Sequence, residues 1–548
     1  MESGDYITLD LNGHTFDRNR RSSSSSGYAF LIESGGDFVL EDTSSDALSE
    51  QGKVIGGNIS DLSGGGGAMK IKKGGTFTLN GGNLCENKAN DRGGAIFNEG
   101  TLIMNGGGIC NNTATGNGGG VSNFGVFIMN GGEIVGNKAA DAGGGVYNYG
   151  NTFSISGPGS FTMNGGKINQ NTGKWGGGIQ SSGSLTVNGE VSDNTAWFGG
   201  GIHSEDKGQV VSGVVIQNSA KIKNNSAFND SDGGYGGGIY AQSTDEYMAQ
   251  SKTASVNISG GSIAGNTAEK YGGGLDIWNA NLTMTDGEIS LNNGLWGGGI
   301  HLGGGVFQLL GGAITKNNAG SSWGGGVYFS DGTVSLKNGV AITGNVYGGT
   351  ITDGTLIGGT VNNFLLPVDQ TASASNLNSS AQIGVTTEAV PTKDAPVDIT
   401  GIGSSDVRSH FTSDEGYTVA FDSTKGAVQL QYKSTYTSDR DNDEHDFWIE
   451  VKDEISDADS GDVIKVNAKG YDKMPYTVLA ETTVTESTPT PVPFHSHTAN
   501  PTATLKSHTN RGRFSLTFFR FLPIRYSIRA IPVKDTAPSA KKRLKATR

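Results

Sequence analysis

An all-β fold, a right-handed parallel β-helix, is predicted by three features of this chain. An aliphatic residue is followed three positions later by asparagine ten times, at Leu84/Asn87, Ile109/Asn112, Ile134/Asn137, Ile168/Asn171, Val191/Asn194, Ile222/Asn225, Ile263/Asn266, Ile289/Asn292, Ile314/Asn317 and Ile342/Asn345. Each unit also carries a glycine cluster and an apolar-x-apolar triplet at fixed offsets. The aliphatic positions are spaced by 25, 25, 34, 23, 31, 41, 26, 25 and 28 residues. Recurrence at this period is the signature of a solenoid.

Within one unit, residues 93–112 (GGAIFNEGTLIMNGGGICNN), three short apolar stretches are separated by Gly/Asn-rich corners. The middle stretch alternates with period two, as in Leu102-x-Met104, Phe127-x-Met129 and Phe307-x-Leu309, which marks a strand with one buried face. The pattern predicts three short strands per turn and about ten regular turns, each rising about 4.8 Å. Glycine suits the corners because it accepts positive φ. The recurring asparagine is expected to tolerate the left-handed region there, and its amide to bond along the axis as a ladder. The longer spacings contain loop-like insertions at 151–159, 205–209 and 242–253, which a solenoid projects from a corner.

Residues 1–62 read as opening turns and an N-terminal cap, with a serine run at 22–26 as a loop. The regular β-helix occupies 63–350, and 351–433, where the glycine clusters stop, reads as closing turns and a β-rich cap. Residues 434–480 look like a truncated small α/β module, with a short helix around 447–455 before a strand. Eight of the twelve prolines fall at or after Pro475, so 481–548 is expected to be a disordered, basic, Pro-rich tail, with translation out of frame as one explanation.

Glycine supplies 90 of 548 residues without a Gly-X-Y period, which excludes collagen. The net charge of −13 is uneven: residues 494–548 carry +11, so the rest carries −24, the difference between those two values. An acidic body repels phosphates, and nucleic acid is not an expected partner. The two cysteines, Cys85 and Cys110, lie one repeat apart, where either a bridge or two free thiols is compatible with the spacing. No apolar run approaches the ~20 residues of a transmembrane helix. The first residues lack the basic and apolar regions of an export signal, and the chain is expected to be part of a longer one.

The Gly-Gly-Ala-Ile of residues 93–96, paired with aliphatic-x-x-Asn, resembles the repeats of chlamydial polymorphic outer-membrane proteins. The fuller pattern of glycine cluster, Met-Asn-Gly-Gly and Ile-x-x-Asn-x-Ala is similar to gut-bacterial adhesin-like repeat proteins over about residues 1–430. The resemblance implies a pectin-lyase-like β-helix, extracellular or cell-surface localisation and an adhesin-like role. This chain departs from the chlamydial pattern in having Ile, Leu or Val where that family has Phe, and no C-terminal outer-membrane barrel is visible.

Pectin-lyase-like enzymes need clustered carboxylates or a carboxylate with a base. The position after each glycine-cluster aliphatic runs Phe97, Ser122, Tyr147, Gln180, His203, Tyr240, Asp276, His301, Tyr328. Asp276 and His301 are expected to be outward neighbours one turn apart, and with His203 they are the weak catalytic candidates, set against a solvated surface pair. No cofactor or metal is expected. The acids Asp230, Asp232, Asp245 and Glu246 are read as solubilising charge, since the calcium-binding nonapeptide is absent. From the fourth repeat onward the residue before the glycine cluster is aromatic: Trp175, Phe198, Tyr235, Tyr271, Trp296 and Trp323. These rings form either a structural ladder or a flat strip that binds glycans. The expected function is a non-catalytic, adhesin-like scaffold that binds a glycan or a host or bacterial surface protein. A polysaccharide lyase or glycosidase is the alternative, and a structural stalk the third reading.

Overall fold

The computed structural model describes residues 1–432, apart from 21, 45–50, 61–64, 151–158, 207–211, 229–231, 244–253, 393–394 and 403–405, and beyond them only the backbone of short strands. It comprises two compact units, the first formed by residues 1–389, 398–415 and 421–428, the second by the remainder.

The first unit is a β-helix-like solenoid of parallel strands. A representative turn consists of Ile96–Asn98, Thr101–Met104, Gly108–Cys110 and Thr113–Ala114. Each strand pairs in parallel with its counterpart a repeat later: Ile96 lies beside Val121, Leu102 beside Phe127, Ile109 beside Ile134 and Ala114 beside Ala139. The first three strands of every turn belong to one 35-stranded sheet, whereas the fourth strands form separate ladders. The turn thus has four strands where three are predicted. The extra one is only two residues long and places a small alanine inward, Ala114, Ala196 and Ala227 each being 1 % exposed. So small a residue gives little apolar signal, and the segment reads as a corner.

The period-two alternation sends Leu102, Met104, Phe127 and Met129 into the interior, where each is fully buried. Phe127 and Phe161 stack with ring centroids 4.4 Å apart. Burial of such side chains contributes roughly 1.5–3 kcal/mol each. Glycine serves two needs at the corner. Gly199 has φ +63°, and at Gly200 a Cβ would lie 2.5 Å from the carbonyl oxygen of Gly237 in the following turn. The left-handed residue at the other corner is not the repeated asparagine, as predicted, but the one before it: Asn111, Asn224 and Leu291 have φ near 54–55°. The repeated asparagine is free of that constraint and turns its side chain inward.

Residues 6–10 and 37–41 already stack as turns, Tyr6–Asp10 pairing with Asp37–Glu41 and the latter with Thr76–Leu79. Cys85 and Cys110 face each other across the register with Cα atoms 4.6 Å apart and are joined as a disulfide between turns. After the last regular turn an antiparallel hairpin, Thr350–Thr352 with Thr355–Ile357, precedes strands that return to the main sheet, Phe364–Leu366, Ala372–Leu377 and Gln382–Thr387. In the second unit Thr435–Arg440 runs parallel to Val463–Ala468, which is antiparallel to Val478–Thr483. The helix predicted around 447–455 lies outside the described residues. Within 481–548, where disorder is predicted, the described backbone is limited to short strands such as Thr504–His508 and Arg513–Thr517.

Candidate functional site

Four features of the solenoid bear on function. The first is internal. Asn87, Asn112, Asn137, Asn171, Asn194, Asn225, Asn266, Asn292, Asn317 and Asn345 form one buried column, each at most 1 % exposed. Asn266 is typical. Its Nδ2 donates to Oδ1 of Asn292 and to the carbonyl of Ile222, both at 2.9 Å, and its Oδ1 accepts from the backbone N–H and Nδ2 of Asn225 at 3.0 Å. The column extends two steps further than the repeat predicts, through Asn363 to Asp414. Every polar atom that burial would otherwise penalise is bonded along the axis.

The second feature is the outward row of first-strand residues, which lies in register as predicted: His203 beside Tyr240, Tyr240 beside Asp276, Asp276 beside His301 and His301 beside Tyr328. It is not solvated. His203, Asp276 and His301 are each only 1 % exposed, because the aromatic rings of the adjacent corner fold back over them. Trp175 lies 5.1 Å from His203, and Tyr271 lies 4.6 Å from His301 (ring centroids). Trp175, Phe198, Tyr235, Tyr271 and Trp296 form a continuous stack with centroids 4.0–5.4 Å apart and the first four rings within 10° of parallel. Trp323 instead tilts against Tyr328 at 5.4 Å. A flat strip would offer ring faces to a sugar. Here the faces are taken by neighbouring rings, so this is a roof over the row beneath it. Burial, reinforced by the Asp276 carboxylate, pushes the hydroxyl of Tyr240 well above its ordinary range and raises that of Tyr271.

The third feature lies within the roofed row. Nδ1 of His301 is 2.7 Å from Oδ1 of Asp276, and Nε2 is 3.0 Å from Oγ of Ser330. Ser330 stands at the corner that follows the first strand and is half-buried; its hydroxyl also lies 3.0 Å from the carbonyl of Leu302. Sequence reasoning found the acid and the base but not the serine, which sits two residues beyond the row, in a corner where Ser, Asp and Gly are ordinary turn residues. The same corner carries the 46 %-exposed Trp278. Each predicted insertion falls there too: the strands flanking it, Val146–Asn148 and Ser160–Met163, Ile202–Asp206 and Gly213–Ile216, and Ile239–Ser243 and Ser255–Ala264, are first and second strands of a turn. Residues 151–158, 207–211 and 244–253 of the insertions lie outside the described residues, as do Asp230, Asp245 and Glu246.

The fourth feature is a pair of adjoining grooves along the short fourth strands. One, of about 430 Å³, is lined by Phe228, Glu269, Asn293 and Leu295; the other, of about 550 Å³, by Asn224, Asn293, Asn318 and Ile351 of the hairpin. Both include Thr267 and Asn293. Phe228 is 55 % exposed, and Trp197, which follows the paired strand one turn earlier, is 41 % exposed with Lys174 over its ring at 4.9 Å. Neither aromatic stands out in the sequence, since each occupies its position in a single turn.

No helix among the described residues is long and apolar enough to cross a membrane. Comparison of the chain with protein-family models, with curated proteins and with solved structures gives no match.

Proposed function

We propose that this chain is an extracellular or cell-surface display scaffold of the adhesin-like kind, built as a right-handed, pectin-lyase-like β-helix, and that it binds a glycan along the fourth-strand grooves. The asparagine column and the ring stack hold successive turns in one register, which is what a rigid presenting surface requires. The observation that carries the binding assignment is the pair of grooves that share Thr267 and Asn293, one lined by exposed Phe228 and the other by Asn224, with exposed Trp197 one turn before Phe228. Sugars are bound by this combination: C–H faces lie on exposed rings while polar groups fix the hydroxyls. The roofed aromatic ladder supports such a surface mechanically and is not itself the contact.

The test is a glycan array probed with the full chain and with a Trp197→Ala/Phe228→Ala variant of matched thermal stability. Retention of defined glycans by the wild type, weakened at least about tenfold in the variant, is the expected result. Equal retention by both proteins would overturn the groove assignment, and retention by neither would overturn it and favour a structural stalk.

A further inference from the structure

Among the buried polar groups of the solenoid, one set is arranged as an acid, a base and a hydroxyl. Asp276 is on the strand Leu275–Trp278, His301 on Ile300–Leu309 and Ser330 on Val327–Asn338, so three consecutive turns contribute one group each. Asp276 and His301 face each other across the register. Ser330 is two residues past His301's other neighbour, Tyr328, where the strand reaches the corner, and its hydroxyl comes back to the imidazole. Nδ1 lies 2.7 Å from the carboxylate and Nε2 3.0 Å from Oγ, so in the neutral tautomer that donates from Nδ1–H the Nε2 lone pair faces the hydroxyl. Both distances are within the reach required of a nucleophile, its base and the group that orients the base.

We propose that Ser330 is an activated nucleophile, with His301 as its general base and Asp276 as the positioning residue, and that this corner cleaves carboxylic esters. The burial order supports this. The acid and base are 1 % exposed and the imidazole is held between rings, Tyr271 on one side and Tyr328 at 5.3 Å on the other, while the serine lies nearer the surface. Beside them Gly303 keeps the approach open: a Cβ there would lie 3.0 Å from Cε1 of His301 and 2.7 Å from the Trp278 ring. Trp278, exposed at the rim and 6.0 Å from His301, supplies an apolar wall for an acyl or alcohol group.

In the first step Oγ bonds to the ester carbonyl carbon and its proton passes to Nε2. The carbon–oxygen bond to the alcohol then breaks, and Nε2 returns the proton to the departing alkoxide. Water next attacks the acyl-serine while Nε2 takes its proton. The bond to Oγ breaks, releasing the carboxylic acid, and the serine hydroxyl is restored. No metal, oxidant or other co-reactant is required. The hydroxyl has a competing acceptor in the Leu302 carbonyl, so the reactive rotamer is the one that donates to Nε2.

The experiment is labelling of the full chain with a fluorophosphonate probe, read by intact mass and peptide mapping; it does not depend on the groove reading. One adduct, on Ser330, is expected, absent in Ser330→Ala. In the isosteric Asp276→Asn variant, checked for an unchanged melting temperature, the maximal labelling rate should fall at least about 100-fold while the half-saturating probe concentration stays unchanged. An unlabelled but folded wild type, an adduct on another residue, or an unchanged maximal labelling rate in Asp276→Asn would each overturn the proposal.

Discussion

At the scale of single residues, the two asparagine-rich corner positions divide the work. The inward asparagine carries the axial hydrogen bonds, and the residue before it takes the left-handed backbone, at Asn111 and Asn224 with φ 54° and at Gly136 and Gly265 with φ 66–67°. Leu291 holds the same conformation with φ 55° and a Cβ that clashes locally. Such a residue costs roughly 1–2 kcal/mol relative to one that visits this region readily. Leu291 also lines a groove, so its apolar contact offsets part of that cost. Leu291→Asn is expected to raise stability by about 0.5–1 kcal/mol, read as a higher urea midpoint at constant slope. A lower midpoint would show that the contact outweighs the strain. The sequence pattern located this corner but not which of its two residues bends, because asparagine is chemically suited to both roles.

At the scale of elements, the ring stack and the row beneath it form a layer of tyrosines whose hydroxyls ionise late. Burial is the main cause for Tyr235, Tyr240, Tyr271 and Tyr328, and the Asp276 carboxylate adds to it for the first three. An unfolded tyrosine loses its proton near 10.0, whereas these folded ones hold it to higher pH. Between the two values the folded state binds more protons than the unfolded state, so stability declines with pH. It is complete below about pH 10 and is lost as pH rises through the folded values. Thermal melts from about pH 8 upward should therefore show a falling midpoint beginning near pH 10. Tyrosinate absorbance should contain a late phase that coincides with unfolding. Tyr271→Phe should delay the decline, and an alkaline profile insensitive to that change would contradict this account. The aromatic residues were legible in the sequence. Their orientation was not, because the choice between facing solvent and folding over a neighbouring strand depends on contacts between turns.

At the scale of the whole solenoid, stability is approximately a sum over turns and the interfaces between them. Asn266→Ala, near the middle of the column, would remove in a dry interior the acceptor of the Asn225 backbone N–H and Nδ2 and a donor to the Ile222 carbonyl, while the Asn292 oxygen would keep only the backbone N–H of residue 266. A loss of roughly 2–4 kcal/mol is expected. Amide hydrogen exchange should accelerate first in the turns on either side of residue 266. A uniform change along the chain would mean that the turns are coupled more tightly than neighbour to neighbour. The solenoid itself could be read from ten repeats of an aliphatic residue and Asn at a fixed three-residue offset, since each repeat states the same fact again. Ser330, Trp197 and Phe228 could not, since each is used in one turn only and carries no periodic signal. Repetition encodes architecture well and singular chemistry poorly.

The column's far end has a consequence for how long such a stack can grow. Each asparagine both receives protons from the turn before and offers them to the turn after. Asp414 receives from the backbone and side chain of Asn363, at 2.7 Å each, and its side chain lacks the amide N–H groups that would pass the pattern on. It therefore acts as punctuation. Further copies of the repeat can be spliced in anywhere upstream without leaving an amide unmatched, whereas elongation past this residue would first require the acid to become an amide.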